Sequence, residues 1–125
     1  LKEYVNTNNL GVCFFSPLKH GLLTGKYDKP TTFEPGDHRS NIKDFQNLKI
    51  LDKLKENKML LERKFKAQKH PVLFGLINSL FTDSITGCVL LGQRNVAQVE
   101  AACSLGSKIN KKDASWVKQI YEFEQ

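Results

Sequence analysis

Phe15-Ser16-Pro17-Leu18-Lys19-His20-Gly21-Leu22-Leu23-Thr24-Gly25-Lys26-Tyr27 reads as a buried strand handing over to a ligand-binding loop. The apolar run from Leu10 to Phe15 supplies the strand, and it stops abruptly at Ser-Pro. Val12, Phe14 and Phe15 suit a pleated, covered position, and the flanking Asn and Pro act as breakers. The stretch that follows is punctuated by Gly21 and Gly25. A second handover lies downstream. Gly87 to Leu91 is continuously apolar, as a strand buried in a parallel sheet should be. Gly92-Gln93-Arg94 then leads to Asn95, which with Gln98 three residues later has the shape of a capping box opening a helix.

The rest of the chain fits between and around these two handovers. Ser16 to Asn41 is a long connection containing Pro17, Pro30, Pro35 and Gly36, and long loops in compact domains are usually functional or disordered. Asp44 to Lys69 reads as a helix, with Leu48, Leu51, Leu54, Leu61 and Phe65 recurring at three or four residues apart from one longer gap. Pro71 starts a second helical stretch, Val72 to Phe81, since proline is compatible with a first turn. Thr82-Asp83-Ser84 is the turn out of it. Leu1 to Asn9 looks like the end of a helix with a polar exit. Asn110 and Asp113 open a last helix with Trp116, Val117 and Ile120 on one face. There is no internal repeat. Strand and helix in this order predict an α/β fold with a parallel sheet.

Composition narrows the function classes. The chain is 40% hydrophobic and 26% charged, as soluble globular proteins are. No run reaches the ~18 apolar residues of a membrane span, and no signal-peptide pattern is present. No membrane association is expected. Net charge is +6, but the lysines are spread through Lys43 to Lys69 without interleaved aromatics. That pattern reads as a solvated helix face rather than a nucleic-acid surface, so no nucleic-acid partner is expected. Cys13, Cys88 and Cys103 are odd in number and lack metal-ligand spacing, so no metal site is expected. Cys13 and Cys88 lie in apolar runs and read as buried reduced thiols, which points to a reducing, cytoplasmic location. His20, His38 and His70 have no partner constellation and read as structural or solvated.

Strand ends that feed helix N-termini are natural phosphate sites, because unpaired backbone N–H groups and the positive dipole end both point at the anion. Gly92 permits close backbone approach, and Arg94 adds a fork suited to phosphate. Upstream, Ser16 offers hydrogen bonding and Lys26 charge, while Gly21 and Gly25 let the loop curl. Gly21-x-x-x-Gly25-Lys26-Tyr27 is not a P-loop, which needs four residues between its glycines and Ser or Thr after Lys.

Both segments resemble the aldo-keto reductases. Ser16 to Lys26 is similar to the loop after that family's seventh barrel strand, Ser-Pro-Leu-x-x-Gly-Leu-Leu-Thr-Gly-Lys, which wraps the pyrophosphate of NADP(H). Val89 to Gln98 resembles its eighth strand and adenosine-end phosphate site, in the family's order and at about its spacing. Arg39 resembles the arginine of the long loop that folds over the cofactor. The resemblance covers nearly the whole chain. It implies the C-terminal part of a (β/α)8 TIM barrel, with two parallel strands, surrounding helices and a long cofactor loop. It also implies NADP(H) contacts at Ser16, Pro17, Leu18, Gly21, Thr24, Lys26, Arg39, Gly92, Arg94 and Gln98. The pattern departs from the family at Ala101 and Ala102, where a Glu-Asn pair addresses the adenosine ribose and adenine. It departs again at Gly75, Leu76 and Asn78, within an Ala-Leu-x-Trp helix.

A complete (β/α)8 barrel needs roughly 250 residues. The chain has 125, begins at Leu1 and has Met59 as its only methionine, so residues 1–125 are expected to be the C-terminal portion of one barrel domain, without its N-terminal half. The family's Asp, Tyr, Lys and His tetrad comes from that first half, and no catalytic residue is assigned here; Tyr4, Tyr27 and Tyr121 are poor substitutes. The resemblance implies hydride transfer to a small carbonyl substrate in the complete protein, with this part clamping the cofactor. The alternative is a truncated or non-catalytic binding module, or a regulatory subunit like the family's potassium-channel β subunits. Two strands taken from an eight-stranded barrel leave open edges that invite self-association.

Overall fold

Asn47 sets where the longest helix begins. A computed structural model of the chain describes residues 1–82, 87–106 and 108–122. In it the Asn47 carboxamide oxygen accepts the N–H groups of Lys49 (3.1 Å) and Ile50 (3.4 Å), capping α2, Leu48–Lys64. The helix is therefore shorter than the apolar periodicity predicts. Lys43–Gln46 ahead of it is a 3-10 turn that buries Phe45, and Leu48 is exposed in the first turn. At the other end Phe65 leaves the helix to pack edge-on against Phe74 (5.2 Å) and Trp116 (6.4 Å). Leu51, Leu54, Asn57 and Leu61 form the buried stripe between these ends.

The remaining elements are α1 (Lys2–Thr7), β1 (Val12–Phe14), α3 (Pro71–Phe81), β2 (Gly87–Val89), α4 (Val96–Cys103) and α5 (Lys111–Ile120). α3 starts with its proline in the first turn and buries the continuous run Phe74–Ser79, because α2, α5 and β2 all pack on it. Gly75 permits the α2 approach: a Cβ there would stand 2.7 Å from Leu61 Cδ2 and 3.0 Å from Phe65 Cε2. Asn78, buried in the same helix, donates to the Leu105 carbonyl at 3.0 Å. α5 is capped by Asn110, whose side chain accepts the Asp113 N–H at 2.8 Å and donates to the Asp113 carboxylate at 3.0 Å. As its spacing predicts, Val117 is buried and Trp116 and Ile120 pack against the same core. Asp83 and Ser84 of the predicted turn lie outside the described residues.

β1 and β2 pair in parallel, with Val12 opposite Gly87, Cys13 opposite Cys88 and Phe14 opposite Val89. The parallel arrangement is the expected one, but the burial is not. Val12, Phe14 and Val89 are half-buried on the side that packs on the helices, while Cys13 and Cys88 are exposed on the other. Side chains alternate across a strand, and among the described residues nothing covers the cysteine face. The expectation of buried thiols and of a strand covered on both faces is thus corrected. No helix of the described residues is long and apolar enough to cross a membrane.

A second apolar cluster holds the long connection in place. Leu22 is fully buried against Phe45, Leu51 and Leu54, with Leu23, Tyr27 and Phe33 around it. Gly25, expected to serve loop curvature, is buried under α2 in the left-handed conformation (φ +69°). A Cβ there would meet the Leu54 carbonyl oxygen at 2.6 Å and Lys58 Cβ at 2.8 Å. Gly36 also has a positive φ, +89°, but faces open space. Gly25→Ala should therefore destabilise the fold by about 1–3 kcal/mol through strain and overpacking together. Gly36→Ala should cost only the left-handed penalty of about 1 kcal/mol. Denaturant midpoints of the two variants check the order, and equal shifts would contradict the packing role given to Gly25.

Candidate functional site

β1 and β2 end side by side, and the loops leaving them face each other across a cavity of about 1040 Å³. Ser16, Pro17, Leu18, Gly21, Thr24 and Lys26 line it from the first loop, and Arg39 from farther along the same connection. Gly92, Arg94 and Gln98 line it from the segment after β2 and from α4. All ten residues picked out in the sequence meet at this one place.

The first loop is curled by strained backbone. Ser16, Lys19 and His20 have φ of 50°, 47° and 57°, followed by Gly21 at 87°. Non-glycine residues in this region cost of order 1–3 kcal/mol each and cluster at binding sites. The curl closes through Lys19 N–H to Ser16 O (3.0 Å), Gly21 N–H to Leu18 O (2.9 Å) and Leu22 N–H to Lys19 O (3.1 Å). Thr24 Oγ1 donates back to Gly21 O at 2.7 Å, so its hydroxyl shapes the loop. Gly21 has a second use: the Lys26 side chain folds back over it, with Cε and Nζ 3.3 Å from where a Cβ would be. The ammonium then sits 5.0 Å from the Tyr27 ring centroid.

Arg39 is fixed from several directions. Its Nε donates to Asp37 Oδ1 at 2.9 Å and Oδ2 at 3.2 Å, and one terminal nitrogen also donates to Oδ2. The other terminal nitrogen donates to Tyr27 Oη at 3.1 Å, and the guanidinium lies 4.2 Å from the Phe33 ring centroid. Asp37 Oδ1 also accepts the Arg39 N–H at 2.9 Å. The Arg39 hydrogen bonds and charge hold the Asp37 carboxyl well below the usual carboxylate range, with a smaller contribution from Arg94. The bonds from Arg39 to Asp37 and Tyr27 also raise the guanidinium further above its ordinary value. Three of its five N–H groups are occupied by these bonds, which leaves two for a ligand. Arg39 is thus a clasped residue rather than a free loop cation.

The opposite wall is built on the start of α4. Asn95 Oδ1 accepts the Gln98 N–H at 3.0 Å, as the capping pattern predicts. The return bond differs: Gln98 Oε1 accepts from Arg94 N–H at 2.7 Å, one residue before the cap. Gln98 therefore braces the turn that carries Arg94. Gly92 faces open space, so a ligand can approach its backbone. Farther along α4, Ala101 and Ala102 present only methyl groups to the cavity.

Charge decides what such a cavity accepts. Lys26, Arg39 and Arg94 line it with Asp37 as the one lining carboxylate among the described residues, and the helix N-terminus adds positive potential. The arrangement suits a polyanion. His20 and His38, read as structural or solvated, are both exposed at this cavity with ring centroids 5.1 Å apart. Sequence reading missed the roles of Asp37 and Tyr27; the signal for the first was Asp37-x-Arg39, the spacing of a side chain capping a turn. Tyr121, set aside as a catalytic group, donates to the Leu23 carbonyl at 3.0 Å, and burial pushes its ionisation upward. Among the described residues no group of three or more His, Cys, Asp or Glu could hold a metal.

Two parallel strands whose following loops enclose an anion-seeking cavity are the marks of an α/β phosphate-binding fold. The sequence model of the aldo/keto reductase family matches residues 1–122, and the chain belongs to that family. Among solved structures, the glycerol dehydrogenase AKR11B4 from Gluconobacter oxydans is similar, with a TM-score of 0.77 and 25% identity over 96% of this chain. The match covers 36% of that protein, so the fold corresponds to part of an aldo/keto reductase barrel. A search of curated proteins gives no significant match.

The Arg39–Asp37 clasp carries a pH prediction. The Asp37 carboxyl is depressed in the folded loop, so the clasp contributes fully above the unfolded value near 3.8 and is lost as pH falls through the lower folded value. The loop should keep its resistance to proteolysis down to about pH 4 and lose it in stronger acid. Asp37→Asn should speed tryptic cleavage after Arg39 and Lys43 several-fold at neutral pH. Unchanged cleavage would mean that the apolar cluster alone holds the loop.

Proposed function

We propose that this chain is the cofactor-clamping part of an NADP(H)-dependent oxidoreductase that reduces a small carbonyl compound. The observation that carries the reading is the convergence of Lys26 and Arg39, from the long connection after β1, and Arg94, from the segment after β2, on one cavity beside the α4 N-terminus. Family membership supports the same conclusion.

The strained first loop and Lys26 would curl around the pyrophosphate, with Arg39 held over it by Asp37. Arg94 and the first turn of α4 would take the phosphate at the adenosine end. The open approach at Gly92 fits a ligand lying against the backbone there. Ala101 and Ala102 would meet the adenosine through apolar contact alone, so binding would rest on the phosphates. The bound nicotinamide would supply a hydride. The groups that polarise the carbonyl and deliver the proton are not assigned to any residue of this chain.

Binding of NADPH, followed by its fluorescence, tests the assignment. Lys26→Glu and Arg94→Glu should each weaken binding by about 1.5–3 kcal/mol, the value of a charge-assisted hydrogen bond. The loss should shrink in high salt. Affinity indifferent to both reversals would exclude the clamp.

A second reading, self-association as a binding module, is favoured by the exposed Phe15 (79%) and Leu90 (56%) beside the uncovered sheet face. It predicts a solution mass above 14.2 kDa for the chain. A cooperative monomer would remove it.

A further inference from the structure

We propose that Tyr27 is the positioning residue of the cavity's cationic wall: its hydroxyl aims Arg39 and its ring seats Lys26, so one side chain sets the placement of two charges that face the ligand. This rests on the reading of the cavity as an anion clamp and adds the group that presets the clamp. Tyr27 is not among the residues that line the cavity, so it acts through the two it holds.

Tyr27 is itself fixed from the core side. Its ring meets Phe45 edge-on at 5.0 Å and Phe33 at 6.0 Å, and those two rings meet edge-on at 4.9 Å. Phe45 is buried, and all three rings pack in the apolar cluster with Leu22, Leu51 and Leu54. Every member of this set lies between Leu22 and Leu54, so the arrangement is complete within one stretch of chain.

A guanidinium is planar, so acceptors on two of its edges and a ring against its face define its placement. Asp37 takes the edge formed by Nε and one terminal nitrogen. Tyr27 Oη accepts from the other terminal nitrogen at 3.1 Å, and the Phe33 ring lies 4.2 Å from the guanidinium carbon. The two N–H groups left over are one on each terminal nitrogen, a donor pair for two oxygens of an anion. Without the phenol oxygen one terminal nitrogen loses its anchor, and the pair is no longer preset.

Lys26 meets the same side chain by its ring. Its ammonium lies 5.0 Å from the Tyr27 centroid, where the ring quadrupole attracts a cation. Gly21 leaves the room on the other side, since a Cβ there would stand 3.3 Å from Lys26 Cε and Nζ. A long, flexible side chain is thereby given a preferred place, which lowers the ordering cost of meeting an anion.

The test follows NADPH binding to the complete protein by fluorescence, with denaturant midpoints measured alongside. Tyr27→Phe keeps the ring and removes only the acceptor. It should weaken binding about 3- to 10-fold. That loss should disappear when Arg39→Met is already present, because the hydroxyl acts through the guanidinium. It should persist in full beside Lys26→Met. Tyr27→Leu removes the ring as well and should weaken binding further, and the further loss should vanish beside Lys26→Met. A purely structural tyrosine would lower the denaturant midpoint and give the same loss of affinity whether or not Arg39 and Lys26 are present. That additive result, or a Tyr27→Phe protein that binds as tightly as the wild type, would overturn the proposal. Should Tyr27→Leu fail to fold, the pair Tyr27→Phe and Arg39→Met still decides it. A wild type that does not bind NADPH removes the clamp and this role with it, whereas a wild type that binds, with additive variants, removes the role of Tyr27 alone.

Discussion

Burial of Leu22 between Phe45, Leu51 and Leu54 is the contact on which the cavity depends. The connection from Ser16 to Asn41 has little regular structure, only two short 3-10 turns, and would be expensive to order by hydrogen bonds alone. One leucine in an apolar socket on α2, with Gly25 fitted beneath the same helix, turns it into a fixed wall. Fully burying such a side chain is worth about 1.5–3 kcal/mol. That is comparable to the strain held at any one of Ser16, Lys19 and His20. The helix stripe that builds the core therefore also positions the residues that line the cavity. Lys19–Asp44 at 2.6 Å and the Tyr121–Leu23 hydrogen bond add further ties to the same loop.

Much of this architecture was readable from residue order. The strand-to-loop handovers, the proline start of α3, and the caps at Asn95 and Asn110 all stand where local rules put them. What escaped was set by tertiary contact. The periodic leucines extend the apparent helix back past Asn47, yet the carboxamide captures two N–H groups and starts the helix there. Phe65 continues the stripe in sequence but turns out of the helix to meet Phe74 and Trp116. The two cysteines sit in apolar runs, and a run does not state whether both faces of its strand are covered.

The site was legible for a different reason. The ten residues came from the resemblance of two segments and Arg39 to the aldo-keto reductases, and all ten line the one cavity. Their division of labour was not legible. Gln98 and Thr24 spend their polar atoms on the loop backbone. Arg39 is shared between Asp37, Tyr27 and Phe33. Such partnerships join residues up to twelve positions apart, and they exist only once the connection has folded back on itself.

The clasp around Arg39 and the socket around Leu22 secure the two ends of the connection, while Glu34, Pro35 and Gly36 between them are exposed, and Gly36 meets nothing. That tip is a place where the protein can change without losing the wall of its cavity. Insertions there would be absorbed by solvent-facing chain and could reach over the cavity mouth. A lineage could thus alter what enters the cavity while leaving unchanged what the walls hold.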